Sequence, residues 1–368
     1  MSCTSPKKLA TTHSTSLPQL KFLNEYDVEN GKQFQGTTIG GLSGIDHDAK
    51  GDIYYMISDD RSAINPARFY TAKIHTKDNR IDSVEFTDVK TLIQEDGKPY
   101  PNSKQDPSHT PDPEEIRYNP TKDEIVWSSE GERKPENNVL EDPSVITIDR
   151  DGHFKDSFEL PPNMHMHVTE NGPRQNSVFE GLAFSGDYKY LFVSVEEPIY
   201  EDGPRATTDS TAWIRIIKFD TETRRQVAQF AYRLERIAYP SVPTNAFKIN
   251  GVSAILSAGD NKLLVVERSF STGRLACTIR VFLADLNEAT DIAAVNSLQT
   301  QPPAKPASKK LLLNMDDLGQ YIDNIEGVTF GPTLPNGHRS LIFIADNNFS
   351  PLEKTQLLLF EINSDIGQ

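Results

Sequence analysis

Ten polar side chains recur in step along this chain. Ser43, Glu114, Glu180, Asn250 and Glu326 each open an apolar run, and Asp59, Glu130, Glu196, Glu267 and Asp346 each close the run that follows. Acids are 53 of 368 residues, about one in seven, so an acid at all five closing positions is not expected by chance. Asp60, Arg61, Glu132, Arg133, Glu197 and Arg268 lie beside them. Carboxylates held close together repel, so either their pKa values rise or a cation or an arginine neutralises them. Oxygen donors without His or Cys select calcium, with magnesium as the alternative. The candidate metal ligands are Asp59, Glu114, Glu180, Glu196, Glu267, Glu326 and Asp346. A cation there polarises a phosphoryl or carbonyl oxygen and lowers the pKa of bound water. Glu180, Glu196, Arg61 and Arg268 are the catalytic candidates, and Arg61, Arg174 and Arg268 present forks for a substrate's anionic oxygens. Acids at strand ends also cap backbone amides or hold a cation that only braces the fold, and that reading stands beside the catalytic one.

These residues must be positioned by a repeat. The copies are SGIDHDAKGDIYYMISD, EEIRYNPTKDEIVWSSE, EGLAFSGDYKYLFVSVE, NGVSAILSAGDNKLLVVE and EGVTFGPTLPNGHRSLIFIAD, beginning 71, 66, 70 and 76 residues apart. Each reads as two short strands of β-branched and aromatic residues around a turn rich in Asn, Asp, Gly and Pro. Third and fourth strands follow: RFYTAKI and SVEFTDV, SVITID and FKDSFEL, WIRIIKF and QVAQFAY, TIRVFLADL and KLLLNM. The fifth repeat has only a third strand, QLLLFEI, while a spare strand, KFLNEYDV, lies at 21–28. A closed ring uses the spare strand to complete the last unit, joining the chain's two ends. The expected fold is all-β, a single β-propeller of five four-stranded blades closed by the N-terminal strand, with six blades as the alternative. A sandwich or solenoid does not explain both the period and the matched acids. Residues 1–18 read as a flexible tether and 19–368 as the propeller. In a blade the first strand lies along the channel and the second runs antiparallel beside it. The start of the one and the end of the other therefore share a mouth, and the recurring acids should meet there. Long connections at 95–113, 131–143, 161–177 and 198–211 belong to the same face, where binding residues usually sit.

A formal charge of -15 supplies no basic footprint for phosphate backbones, so no nucleic-acid partner is expected. The two cysteines, Cys3 and Cys277, form no CxxC pair, and no apolar run approaches the ~20 residues that span a bilayer. Cys3 sits in Met-Ser-Cys-Thr-Ser ahead of a Ser/Thr/Pro/Lys-rich stretch, which reads as a lipid-anchor site whose signal peptide is absent, or as a free cysteine in a tail. No GxSxG elbow occurs, and His109, His165 and His167 read as surface polar residues rather than a metal set.

The segments RQNSVFEGLAFSGDYKYLFVSVEEP (174–198), DPEEIRY (112–118), GLSGIDHD (41–48) with SDDR (58–61), and VVERSF (265–270) resemble the phytase-like family of secreted bacterial proteins, known for an "esterase-like activity of phytase". The resemblance runs over nearly the whole chain after residue 35. It implies a β-propeller, an extracytoplasmic location (periplasmic, cell-surface lipoprotein or secreted), and calcium-dependent hydrolysis of phosphate or carboxylic esters. Glu114 and Glu180 fall on the family's acidic blade-start position, and Asp59, Asp60 and Arg61 on its acidic-arginine motif. Asp-Pro-Glu-Gly becomes Asp-Pro-Glu-Glu at Glu115, and Val178 replaces the small residue before Phe-Glu-Gly. The expectation is a monomeric, calcium-dependent ester hydrolase acting on a small-molecule ester or phosphorylated substrate. The alternative is a non-catalytic, calcium-braced propeller that binds a glycan, peptide or anionic ligand.

Overall fold

A computed structural model describes residues 19–363, so the tether and Cys3 lie outside the described residues. Five four-stranded antiparallel sheets follow one another. Blade one is Leu42–Asp48, Ile53–Ser58, Arg68–Lys77 and Arg80–Thr91; blade two is Pro113–Asn119, Glu124–Ser129, Ser144–Ile148 and Phe154–Ser157. Blade three is Phe179–Phe184, Tyr190–Val195, Ala212–Asp220 and Gln226–Leu234; blade four is Lys248–Ser257, Lys262–Ser271, Thr278–Asp285 and Ser308–Asn314. Blade five takes Asn324–Phe330, Ser340–Asp346 and Thr355–Ile362 from the C-terminal end of the chain and Leu20–Val28 from the N-terminal end. The protein is a five-bladed β-propeller closed by its N-terminal strand, which pairs from Leu20↔Ile362 to Val28↔Thr355. The N-terminal strand covers the Thr355–Ile362 edge and becomes the outer strand of blade five.

The layers between blades are apolar. Strand residues alternate, so that Leu182, Leu191, Val193, Ile217 and Phe219 of blade three pack with Val126 and Val145 of blade two. The innermost strands converge more closely than side chains allow. A Cβ on Gly181 would lie 2.7 Å from the Ile255 amide nitrogen, and one on Gly44 would lie 2.5 Å from Glu115 Oε1. Glycine at 44 thus makes the room that Glu115 occupies in the next blade.

Arg117 fills the axis. Its Nε donates to Leu182 O at 2.7 Å, Nη1 to Ile45 O at 2.5 Å, and Nη2 to Ile255 O at 3.0 Å and Val328 O at 3.1 Å. Those four carbonyls come from the innermost strands of the other four blades. Glu115 accepts from Nη2 at 2.8 Å and completes the plug. Below it, a cavity of about 560 Å³ at the other mouth is lined by Asp46, Arg117, Tyr118, Phe184, Tyr188 and Phe330 among others.

The Pro-rich connection at 286–307 runs along the edge of blade three. Ile292 N donates to Gln229 O and Ala307 N to Ala231 O, both at or below 2.9 Å. Arg215, paired with Asp202 at 2.7 Å, donates to Val295 O at 2.9 Å. The segment covers the outer strand Gln226–Leu234, whose backbone groups would otherwise template aggregation.

Replacing Arg117 by Ala leaves four inward carbonyls unsatisfied and Glu115 buried without its cation. Loss of one partner of a buried pair costs about 3–5 kcal/mol, so Arg117→Ala is expected to lower the denaturation midpoint sharply. Unchanged stability would show that the guanidinium does not tie the blades.

Candidate functional site

The site is set by one irregularity repeated in all five innermost strands. Pairing between the first and second strands skips a residue at Ser43, at Glu114–Glu115, at Glu180, at Ser253 and at Glu326. Such a bulge turns the extra side chain away from the regular alternation. The residue that follows the bulge's partner on the second strand is Asp59, Glu130, Glu196, Arg268 and Asp346 in blades one to five. Blade four thus corrects the sequence alignment. Its bulge lies at Ser253, not at Asn250, and Arg268 rather than Glu267 takes the closing position. The cause is a longer hairpin: blade four continues past the mouth with the pairs Gly251↔Arg268, Asn250↔Ser269, Ile249↔Phe270 and Lys248↔Ser271. Glu267 turns outward between strands, where it accepts from Lys309 Nζ at 2.6 Å, Tyr232 Oη at 2.8 Å and Asn250 Nδ2 at 2.8 Å.

Four acids and one arginine therefore close the hairpins, joined by Glu114, Glu180 and Glu326 from the bulges. Asp59, Glu114, Glu180, Glu196, Arg268 and Glu326 line one cavity of about 510 Å³. Arg268 bridges Glu196 at 2.8 Å and Glu326 at 3.0 Å, and donates to Asn324 Oδ1 at 2.5 Å. Oxygens of Glu114, Glu130 and Glu180 lie within 4.8 Å of one another, as do those of Asp59, Asp112 and Glu114. Glu130 accepts from the Val178 amide with one oxygen, while Oε2 is buried without a hydrogen-bond partner among the described residues, as is Asp346 Oδ2. Asp59 meets Asp112, Glu130 meets Glu180, and Glu326 meets Asp346, carboxyl to carboxyl. Each such pair requires a shared proton or a cation. Orphaned carboxylate oxygens and an all-oxygen donor set fit a hard divalent cation.

Burial, with the neighbouring carboxylates, pushes Asp59, Glu114, Glu130, Glu180 and Asp346 well above the usual carboxylate range. Burial also raises Glu196, to about 7, against the pull of Arg268. Burial works against the charge on Arg268, but Glu326, Glu196 and Glu180 outweigh it and hold the guanidinium protonated.

The other arginines are committed to the loops. Arg61 lies 2.7 Å from Glu132 and 3.7 Å from Asp112 and donates to Thr110 O, so it braces the rim from outside the cavity lining. Asp60 pairs with buried Arg68 at 2.7 Å and caps the amides of Ala63, Ile64 and Asn65. Arg174 donates to Pro198 O and Gly203 O and lies 4.1 Å over the Tyr200 ring, again outside the lining. Arg205 stands in the lining instead, 2.9 Å from Glu197. Sequence reasoning passed over Asp112, Asp323, Asn324, Arg205 and Glu353. Asp112 was legible, since it precedes Pro113 at a strand start, and Asn324 opens the inner strand of blade five; Asp323, Arg205 and Glu353 sit on connections without a repeat signal. His165 pairs with Asp142 at 2.7 Å near the surface, and His167 belongs to no cluster of ligating side chains among the described residues.

Carboxyls raised in the folded state keep protons that the unfolded chain releases, so their stabilisation is complete below about pH 4.5 and fades as pH rises through about 7. In chelator, the melting temperature should fall between about pH 5 and pH 8. Calcium should restore it at the upper end, and Glu180→Gln should flatten the decline. A melting temperature that rises over this range contradicts the raised values.

Among solved structures the chain is similar to the periplasmic gluconolactonase of Pseudomonas aeruginosa, at 11% identity and a TM-score of 0.38, covering 91% of this chain and 85% of that one. The α-L-arabinofuranosidase of Lactobacillus brevis is 12% identical with a TM-score of 0.48, covering 88% and 91%. The endo-arabinase of Bacteroides thetaiotaomicron is 12% identical with a TM-score of 0.44, covering 87% and 93%. No curated protein matches in sequence. Residues 37–349, from just before the first blade into the last mouth loop, match one family. The chain belongs to the phytase-like family, described by an esterase-like activity of phytase.

Proposed function

We propose that the acidic mouth is the active site of a calcium-dependent ester hydrolase acting on a carboxylic or phosphoric ester. The observation that carries this reading is the convergence of buried carboxylates, with orphaned oxygens at Glu130 and Asp346, around the guanidinium of Arg268. Asp59, Asp112, Glu114, Glu130 and Glu180 would hold the cation, with Glu326 and Asp346 beside them. When bound, calcium supplies neutralisation of the cluster and polarisation of the ester oxygen.

The protein's own groups do the rest. Glu196, with a pKa raised to about 7, is matched to accept a proton from attacking water near neutral pH. Arg268 holds Glu196 in place at 2.8 Å and presents its remaining edge to an oxyanion developing on the substrate. Water adds to the acyl or phosphoryl centre, the bond to the leaving oxygen breaks, and that oxygen regains a proton from Glu196. Burial of the carboxyls in a partly enclosed cavity strengthens each of these contacts. The proposal includes a monomer outside the cytoplasm, with Cys3 available as a lipid anchor.

Hydrolysis of p-nitrophenyl acetate, p-nitrophenyl phosphate and phytate, measured with calcium and with chelator, tests the proposal. Turnover of at least one ester is expected with calcium and is lost on chelation. Glu180→Gln and Arg268→Ala should each lower kcat/KM about 100-fold or more. Absence of turnover on all three, with a large chelator-induced drop in melting temperature, supports the non-catalytic binding propeller. That second reading is favoured by one feature, the engagement of Arg268 with both Glu196 and Glu326.

A further inference from the structure

One side of the mouth is apolar, and the reason lies in blade four. In the other blades the inner hairpin pairs stop at the bulge or one pair past it, while blade four adds four pairs beyond Val252↔Glu267. The extension stands above the cavity and carries Ile249 and Phe270 opposite each other. Phe247 packs its ring 6.0 Å from that of Phe270, and Leu275 follows on the loop after the hairpin. Leu352 approaches from blade five, and all five side chains line the same cavity as Glu180, Glu196 and Arg268.

These are not scattered surface residues. Phe247 is 58% exposed, Leu275 90% and Leu352 88%. Tyr239 and Val242, also exposed, continue the patch: Arg274 lies 3.6 Å over the Tyr239 ring, and Val242 abuts Gly273. More than half of the large exposed hydrophobics among the described residues thus gather at one point on the rim. Exposed apolar surface so concentrated beside a concave polar site marks recognition. The five side chains share one concave lining with Glu180, Glu196 and Arg268, which fits a small molecule bearing both a polar and an apolar part.

Charge points the same way. The cavity lining carries seven carboxylates, Asp59, Glu114, Glu180, Glu196, Asp323, Glu326 and Glu353, against three arginines, Arg205, Arg268 and Arg274. Arg268 is held by Glu196 and Glu326, Arg205 by Glu197, and Arg274 by the Tyr239 ring. One divalent cation and three arginines together still fall short of seven carboxyl groups, which disfavours a polyphosphorylated substrate relative to a neutral ester with an apolar tail.

We infer that the site selects neutral esters bearing an apolar group, an alkyl chain of medium length or an aryl ring, which lies along the wall of Phe247, Ile249, Phe270, Leu275 and Leu352. The inference rests on the reading of this mouth as an ester hydrolase. The wall is a specificity surface, and the carboxylates and Arg268 remain the reacting machinery.

The test is a series of p-nitrophenyl esters from acetate through butyrate to octanoate, in calcium. Each methylene added within the length of the wall should raise kcat/KM about threefold. The double variant Phe247→Ser, Leu275→Ser should collapse the octanoate-to-acetate ratio, with a melting temperature like that of the parent because both side chains are exposed. A flat series in the parent, a ratio unmoved in the variant, or kcat/KM for phytate above that for octanoate overturns the inference. If no ester turns over, binding of N-(4-nitrophenyl)octanamide against N-(4-nitrophenyl)acetamide is measured by calorimetry. Octanamide binding that the double variant weakens about 10-fold or more upholds the wall while the hydrolase reading fails. Equal binding of the two amides sinks the wall as well.

Discussion

A single guanidinium holds the axis of this propeller. Arg117 donates to one innermost-strand carbonyl from each of the other four blades and to Glu115 beside it. Inner strands leave carbonyls facing the channel, and buried carbonyls without partners are costly. Arginine suits the task because its planar fork offers five donors in fixed directions. The second charge is needed because a buried cation with only dipoles around it remains poorly compensated. Burial in turn raises Glu115 to about 8 against the pull of Arg117, so the pair sits close to the limit of what the interior tolerates.

This plug gives the two mouths separate chemistries. Above it stand the acids, each presented by a bulge or by the residue after the bulge's partner. Below it lies a cavity lined by Tyr118, Phe184, Tyr188 and Phe330 with Asp46 at its floor. Because the bulge recurs in every blade, the acidic positions are equivalent, and equivalence is what concentrates charge. The departure in blade four breaks that symmetry twice. Arg268 replaces a carboxylate with a cation in the ring, and the lengthened hairpin raises an apolar wall over it. A symmetric ring of five acids would repel strongly and have no direction; one arginine and one wall orient it.

The loops do a different job from the one their arginines suggested. Arg61 and Arg174 bind carbonyls, acids and an aromatic ring that shape the rim. Long connections without secondary structure of their own must satisfy their backbone groups somehow, and arginine reaches several at once. The same need explains the buried Asp60–Arg68 pair and the Arg215–Asp202 pair beneath 286–307.

Much of this is legible in the amino-acid sequence. Alternating β-branched and aromatic residues mark strands because strand side chains have a period of two, and turn residues mark their ends. A unit repeated five times, with one strand short at one end and one spare at the other, has few closures open to it. Asp59, Glu114, Glu130, Glu180, Glu196, Glu326 and Asp346 stood out for the same reason, since repetition places equivalent residues equivalently. Register was not legible. Asn250-Gly251 imitates the Glu-Gly of the other blades, yet Gly251 is there because a Cβ would lie 2.5 Å from Glu196 Cγ, and the true bulge falls at Ser253. A one-residue slip in a strand exchanges its two faces, which is why Glu267 left the ring and Arg268 entered it. The sequence alone determined the wedges and which residue types recur in them. Tertiary structure decided which of two neighbouring side chains faces the axis, because that depends on how far the strands pair before they part.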